Sequence, residues 1–464
     1  MLGSVGTQAA ELLGMTDEAD ALVGPPEGAV PWSSRLPTGT LATDAVSLAS
    51  LAIELVRAAR TGAAPSPVVV QRPRVAASFG SERLIRLDGA APDVWAPLSG
   101  FWRGADGWVR THGNYPHHDA ALRALLHVGP AAPKDEVSAA MAARSTGDLE
   151  DHAAESGAIV ARVRTAKEWA EHPQGRAVAA SPLIAVTRTD GAAPRSRSDA
   201  AAPLAGVRVL DLTRVIAGPV AARDLALAGA DVLRVDSPAL EETGWIHLDT
   251  GQGKRSTLLD LGDSHDRACF DALLSSADVV VTGYRPGALT RFGLDADELA
   301  ARFPGIVTAS VSAWGTTGPW ASRRGFDSIV QAATGIALAE SRDGATPGAL
   351  PVQALDHSTG HLLAASVVRA LAAQRRDGGS IDVRMSLARV AHALLAATDA
   401  APPVDPDLVL PTVERHVGAP DLGTLTCAPP VLAFTGAPDD YPAGGGRWGA
   451  DAPVWRDDAS PGTP

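Results

Sequence analysis

The chain has 464 residues, 45% hydrophobic and 20% charged, enough to bury a core in one large or two to three smaller domains, so global disorder is excluded. Fifty-three acids against 40 bases give a formal charge of −13, without the basic footprint that a nucleic acid needs. No run of about 18 apolar residues predicts a membrane span, the first residues do not read as a secretory signal, and two cysteines (Cys269, Cys427) make no disulfide framework, so the expectation is a cytoplasmic chain without nucleic-acid or membrane partners.

In chain order, Leu48, Leu51, Ala52, Leu55 and Val56 recur at helical spacing and predict a helix over 40–60, ended at Arg60-Thr61-Gly62. A β-rich Val68-Val69-Val70 follows. Trp108-Val109-Arg110-Thr111 reads as a strand, and a helix is expected from Asp119 to about Val128. Two or three short helices are expected over 134–172. Residues 189–203 are rich in Ala, Pro and Ser and read as a linker.

Beyond it, strands and helices alternate: Val207–Leu212, helix 220–229, Asp231–Asp236, helix 264–275, Asp278–Val281, helix 295–302 and Gly305–Val311. Such alternation predicts a doubly wound parallel sheet. Ligands bind these sheets beyond the carboxyl ends of the strands, here near 213–219, 237–256, 282–292 and 312–327. An internal echo joins the two halves: a helix ending Arg60-Thr61-Gly62 precedes Arg74-Val75-Ala76, and one ending Arg376-Asp377-Gly378 precedes Arg389-Val390-Ala391.

Motif by motif, most enzyme signatures fail. Gly251-Gln252-Gly253-Lys254-Arg255 is no P-loop, because Arg255 stands where Ser or Thr is required. No dinucleotide fingerprint, nucleophile elbow or C-x-x-C is present. His112, His117 and His118 with Asp119 lack a metal-ligand spacing and read as capping and packing groups, so no metal is expected. Lys254, one of only three lysines, lies with Arg255 on a loop between two strands and points to anion binding. Asp356 stands where an extended segment becomes a long apolar helix; it reads either as a helix cap or as a carboxylate nucleophile held ionised by the helix N-terminus.

Eight segments in order over residues 203–395 resemble the family III CoA-transferases. They include Pro203–Leu212, Ala217-Gly218-Pro219, Gly229–Asp236, Gly253-Lys254-Arg255-Ser256, Tyr284-Arg285-Pro286-Gly287, Ser312-Ala313-Trp314-Gly315, Gly325-Phe326-Asp327 and Leu355-Asp356 ahead of Gly360. The resemblance implies an α/β fold: a Rossmann-like doubly wound large domain with a smaller α+β domain, in an interlocked homodimer. It implies transfer of coenzyme A between carboxylic acids, with Asp356 as nucleophile and acyl-CoA and carboxylic acids as partners. CoA is then a substrate and no cofactor is expected. The implied CoA-binding residues are Val215, Ala217, Arg234, Lys254, Tyr284, Arg285 and Arg291.

This sequence departs from the family at Ile216, Thr282 and Gly283. The segment resembling the small domain, about 101–180, comes first, which together with the echo implies a permuted or partly duplicated member. The expected division is an N-terminal region 1–188, a linker 189–202, a catalytic domain 203–400 and an irregular segment 401–464. Alternative functions are an acyl-CoA racemase or isomerase, whose motif histidine is replaced by Phe326, and a non-catalytic CoA-binding homologue.

Overall fold

The computed structural model describes residues 2–195, 202–416, 423–441, 443 and 445–456. In chain order the strands are β1 (Arg86–Leu87), β2 (Gly100–Arg103), β3 (Trp108–Thr111), β4 (Val160–Arg162), β5 (Ala185–Thr189), β6 (Arg208–Leu212), β7 (Asp231–Asp236), β8 (Arg255–Leu258), β9 (Val279–Thr282), β10 (Val307–Ser312), β11 (Ser380–Ser386), β12 (Val413–His416) and β13 (Thr424–Cys427). Seven of them form one sheet in the order β5-β11-β10-β9-β6-β7-β8. The strands β6 to β11 are parallel, and β5 pairs antiparallel with β11 at one edge. Counted from β6, the parallel strands stand in the order 3-2-1-4-5-6, with the reversal between β6 and β9, where a doubly wound sheet opens its ligand crevice.

The sheet is buried on both faces, as its unbroken apolar strands require. Val209, Val232 and Val279 enter one core with the long helices, while Leu210, Leu233 and Val280 enter a second with Phe270, Leu273 and Leu274. Successive residues therefore feed opposite layers.

The helix expected at 40–60 is Thr38–Thr61, and it packs along the helix Ala354–Asp377. With a mean hydropathy of 1.4 it is long and apolar enough to cross a membrane, contrary to the expectation that no segment was; but 83% of that stretch is buried inside the protein, where it serves as a core helix. The echoed segments both continue into short helices, Arg72–Phe79 and Leu387–Ala396. Between them the likeness stops: β11 joins the large sheet, whereas Val68 and Gln71 make only isolated bridges to Val23 and Glu27.

The structural division differs from the one expected along the chain. Val5, Leu51 and Phe79 share a core with Val209 and Val367, so the first helices belong with the large domain. β5 does too, although it precedes the expected linker; of that linker, residues 196–201 lie outside the described residues. The small domain keeps its own core between Leu98 and Val160, in which the antiparallel sheet β2-β3-β4 is backed by the helices Pro116–Leu126, Lys134–Ala142 and Thr146–Ser156. In the segment expected to be irregular, β12 and β13 form a small sheet with β1, and Trp448 Nε1 donates to Asp236 at 2.9 Å.

Candidate active site

A cleft of about 600 Å³ opens over the carboxyl ends of the parallel strands. Its floor comes from the turns after β6 (Arg214, Val215, Ala217), β7 (Ser237, Leu240), β9 (Gly283, Tyr284, Arg285) and β10 (Ala313). Tyr115, His117 and His118 of the small domain supply the facing wall. The cleft lies along the expected ligand edge, except that Leu259, Asp260 and Leu261 contribute after β8 instead of residues 241–256.

Behind the floor lies a belt of buried ion pairs. Asp211 Oδ1 accepts the Thr213 amide at 3.0 Å, and Oδ2 accepts the Lys254 ammonium at 2.8 Å. The same ammonium donates to the Pro219 carbonyl at 2.7 Å. Burial lowers the Lys254 pKa to about 8, although Asp211 opposes that shift. Arg234 is held by Asp236 at 2.7 Å and by Glu242 at 3.1 Å. Glu242 also accepts the Tyr115 hydroxyl at 2.6 Å and the Val215 amide at 3.1 Å, tying the small domain to the floor. Val215 sits at φ +69°, a left-handed conformation that a β-branched residue adopts only when its surroundings impose it.

Asp356 is the third residue of the helix Ala354–Asp377 and 6% exposed, at the inner end of the cleft. Gly360, one turn on, lets the helix close against the Ala217 carbonyl; a Cβ there would lie 2.6 Å from that oxygen. The capping role belongs to a different carboxylate: Asp327 Oδ2 accepts the Asp356 amide at 2.9 Å, and Oδ1 accepts Gln331 Nε2 at 2.5 Å. Among the described residues, nothing donates a hydrogen bond to the Asp356 carboxyl. The expectation that the helix N-terminus holds it ionised is therefore corrected. Burial, and then the negative charge of Asp327, push its pKa well up. Burial also raises Asp327, to about 6, against the opposing donors Gln331, Asp356 and Leu355.

Of the expected site residues, Val215, Ala217, Tyr284, Arg285, Arg291 and Asp356 line this one cleft. Arg234 and Lys254 do not, because their charges are spent on buried carboxylates. The spacing could not reveal this, since Asp211 lies 43 residues before Lys254. Arg324 was overlooked, although it immediately precedes the matched Gly325-Phe326-Asp327; it lines the cleft. Among the described residues, Arg285, Arg291 and Arg324 have no carboxylate partner. Burial, then the charge of Arg285, lowers the pKa of Arg324. These cleft arginines are suited to an anionic ligand.

The sequence profile of CoA-transferase family III matches residues 204–442, just over half of the chain. The chain belongs to CoA-transferase family III. Among its relatives, a protein named as a probable fatty acyl-CoA transferase from Mycobacterium tuberculosis is 34% identical over 212 residues, covering 43% of this chain and 54% of the relative. An acetyl-CoA:oxalate CoA-transferase from Acetobacter aceti is 33% identical over 236 residues, covering 47% and 59%. The chain thus spans about half the length of the curated relatives it matches. A crystal structure of a CaiB/BaiF family protein from Brucella suis is 27% identical, with a TM-score of 0.39 over 48% of this chain and 65% of that one. Within the family III frame, Ile216 and Gly283 are at the site: Gly283 lines the cleft floor, and Ile216 borders a smaller chamber beside Asp356.

Proposed function

We propose that the protein transfers coenzyme A from an acyl-CoA to a second carboxylic acid, with Asp356 as the covalent nucleophile. The observation that carries this reading is the placement of Asp356: a buried carboxyl lining a cleft with three arginines, none of the four with an ionic partner among the described residues, in a family III chain. The arginines would hold the CoA phosphates. Ionised Asp356 attacks the thioester carbonyl, the C–S bond breaks, and CoA leaves as thiolate from a mixed anhydride. The thiolate then attacks the aspartyl carbonyl, which releases the first acid as carboxylate and leaves an aspartyl-CoA thioester. The acceptor carboxylate displaces CoA thiolate to form a second anhydride. The thiolate finally takes the new acyl group and frees Asp356. Each step exchanges one activated acyl for another, so no ATP is consumed. The burial of Asp356 supports the reading further, because the anhydride survives only where water is kept out.

Asp356→Asn tests this. Asn has nearly the same shape and cannot form the anhydride, so CoA transfer is expected to fall by roughly 10⁴-fold or more while the fold persists. Mass spectrometry of the wild-type protein with a panel of acyl-CoAs should show an acyl or CoA adduct on Asp356 alone. A folded Asp356→Asn protein with near wild-type exchange refutes the nucleophile.

One observation favours a second reading. His112 stacks on Phe326, with ring centroids 3.6 Å apart, so a histidine stands in space beside the motif that lacks one in sequence. An isomerase would use it with a carboxylate as an acid–base pair. Exchange of the α-proton of a 2-methylacyl-CoA in deuterated water, abolished by His112→Ala, would favour that chemistry over transfer.

A further inference from the structure

Asp356 borders two spaces. Besides the large cleft, it lines a chamber of about 40 Å³ on its other side. Trp95, Val215, Ile216, Trp245 and Phe326 give the chamber apolar walls. Three further lining residues carry buried polar atoms with no hydrogen-bond partner among the described residues: Glu82 Oε2, His112 Nδ1 and Ser328 Oγ. All three residues are less than a tenth exposed. A buried polar atom left unpaired keeps the full cost of its lost hydration. The fold therefore holds, next to its nucleophile, polar capacity that the protein does not use.

We propose that this chamber receives the tail of the acid joined to Asp356, and that it selects a short monocarboxylic acid carrying a hydroxyl group. The proposal rests on the transferase reading above and adds the substrate class. Size gives the first limit. At roughly 10–15 Å³ for each water-sized group, 40 Å³ holds a tail of about three non-hydrogen atoms. Charge gives the second. The lining offers a second carboxylate no counter-ion: it holds the carboxyls of Glu82 and Asp327 and a neutral His112, and no lysine or arginine. Arg110, the nearby cation, is not among the lining groups; its guanidinium lies over Trp95 at 5.3 Å and Phe101 at 5.0 Å. Hydrogen bonding gives the third. A hydroxyl both donates and accepts, so it can satisfy Ser328 together with Glu82 or His112, whatever the imidazole tautomer. Burial favours the uncharged forms, raising Glu82 to about 7 and lowering His112 to about 3. A site built around such groups rejects an analogue lacking the hydroxyl, because the buried partners are again left unpaired.

The test compares acceptor acids at a fixed acyl-CoA donor: lactate, propionate, oxalate and hexanoate. Wild-type kcat/KM is expected to be highest for lactate, about 10-fold or more above propionate, with oxalate and hexanoate lower still. Ser328→Ala and Glu82→Gln should each reduce the lactate-to-propionate ratio about 10-fold. If oxalate or hexanoate outruns lactate in the wild-type protein, or if neither variant changes the ratio, the chamber is not the acyl site. A direct arm separates this failure from failure of the transferase reading. ¹³C-labelled lactate should broaden in the presence of the protein and sharpen with Ser328→Ala, with no turnover required. Absence of any Asp356 adduct while lactate still binds in the chamber would refute transfer and leave the site; adducts with no lactate selectivity would refute the site and leave transfer.

Discussion

Two sets of charges, a few ångströms apart in the fold, play opposite parts. The belt along the cleft floor (Asp211–Lys254 and Arg234–Asp236–Glu242) consists of buried ions paired with one another. The cleft itself presents groups of the same residue types that have no ionic partner among the described residues: Asp356, Arg285, Arg291 and Arg324. A paired buried charge fixes geometry, while an unpaired one is available to a ligand or a reaction. Residue type therefore says little about role here, and partnership says a great deal.

The contrast breaks if changes in the belt alter chemistry or changes in the cleft alter stability. The largest effect is expected at Lys254. Lys254→Met strands the buried Asp211 carboxylate and should remove about 3–5 kcal/mol of folding stability, read from denaturant unfolding. A loss of CoA affinity without loss of stability would move Lys254 from the belt to the site. In the cleft, Arg285→Ala and Arg324→Ala should each weaken CoA binding by about 10- to 100-fold, the scale of one hydrogen bond to a charged group. Stability should change by less than about 0.5 kcal/mol, as for most surface substitutions. Calorimetric titration with CoA checks the first number, and thermal unfolding the second.

The sharpest probe is Asp327, which caps the helix that carries Asp356. Its charge helps to raise the pKa of Asp356, so ionised Asp356, the form the proposed attack requires, becomes available only as pH rises. Transfer activity should accordingly increase with pH along its acid limb. Asp327→Asn keeps a capping side chain and removes the charge. The acid limb should then move to lower pH, with little loss of stability. For stability the sign is the reverse of the activity trend. Asp327 has its folded pKa raised to about 6, so its contribution is full below about pH 4 and is lost as pH rises through 6. The wild-type protein should therefore lose its stability advantage over Asp327→Asn between pH 4 and 6, measured as the difference in unfolding free energy across that range.

Much of the large domain was legible in the sequence because parallel strands buried on both faces leave apolar runs such as Val279-Val280-Val281, here alternating with helices in the pattern of a parallel sheet. The edge strand β5 was not, since four of its five residues are exposed and Val186 alone among them is apolar. For the site, chain order and the family resemblance led to Asp356 and to the cleft arginines Arg285 and Arg291, which lie on the connection that follows β9. Glu82, Trp95 and His112 were not legible. They come from the first quarter of the chain and reach Asp356 only through packing of the small domain and the N-terminal helices, a relation that no local pattern records. Lys254 and Arg234 were misread for the same reason, because a motif gives a cation its place in the chain and not the carboxylate that claims it.

The pairing of Thr38–Thr61 with Ala354–Asp377 has a bearing on how the chain matures. Ser4 hydrogen-bonds Asp399 across 395 residues, and Ser50 bonds Ala433 across 383. The early helix, buried along most of its length in the finished protein, is made before any of these partners exists. During synthesis it emerges well before the helix Ala354–Asp377 that covers it. Contacts of such long range also make folding slow. The apolar stretch that anchors the core is thus a segment that gains from chaperone cover and is open to aggregation when expression outpaces folding.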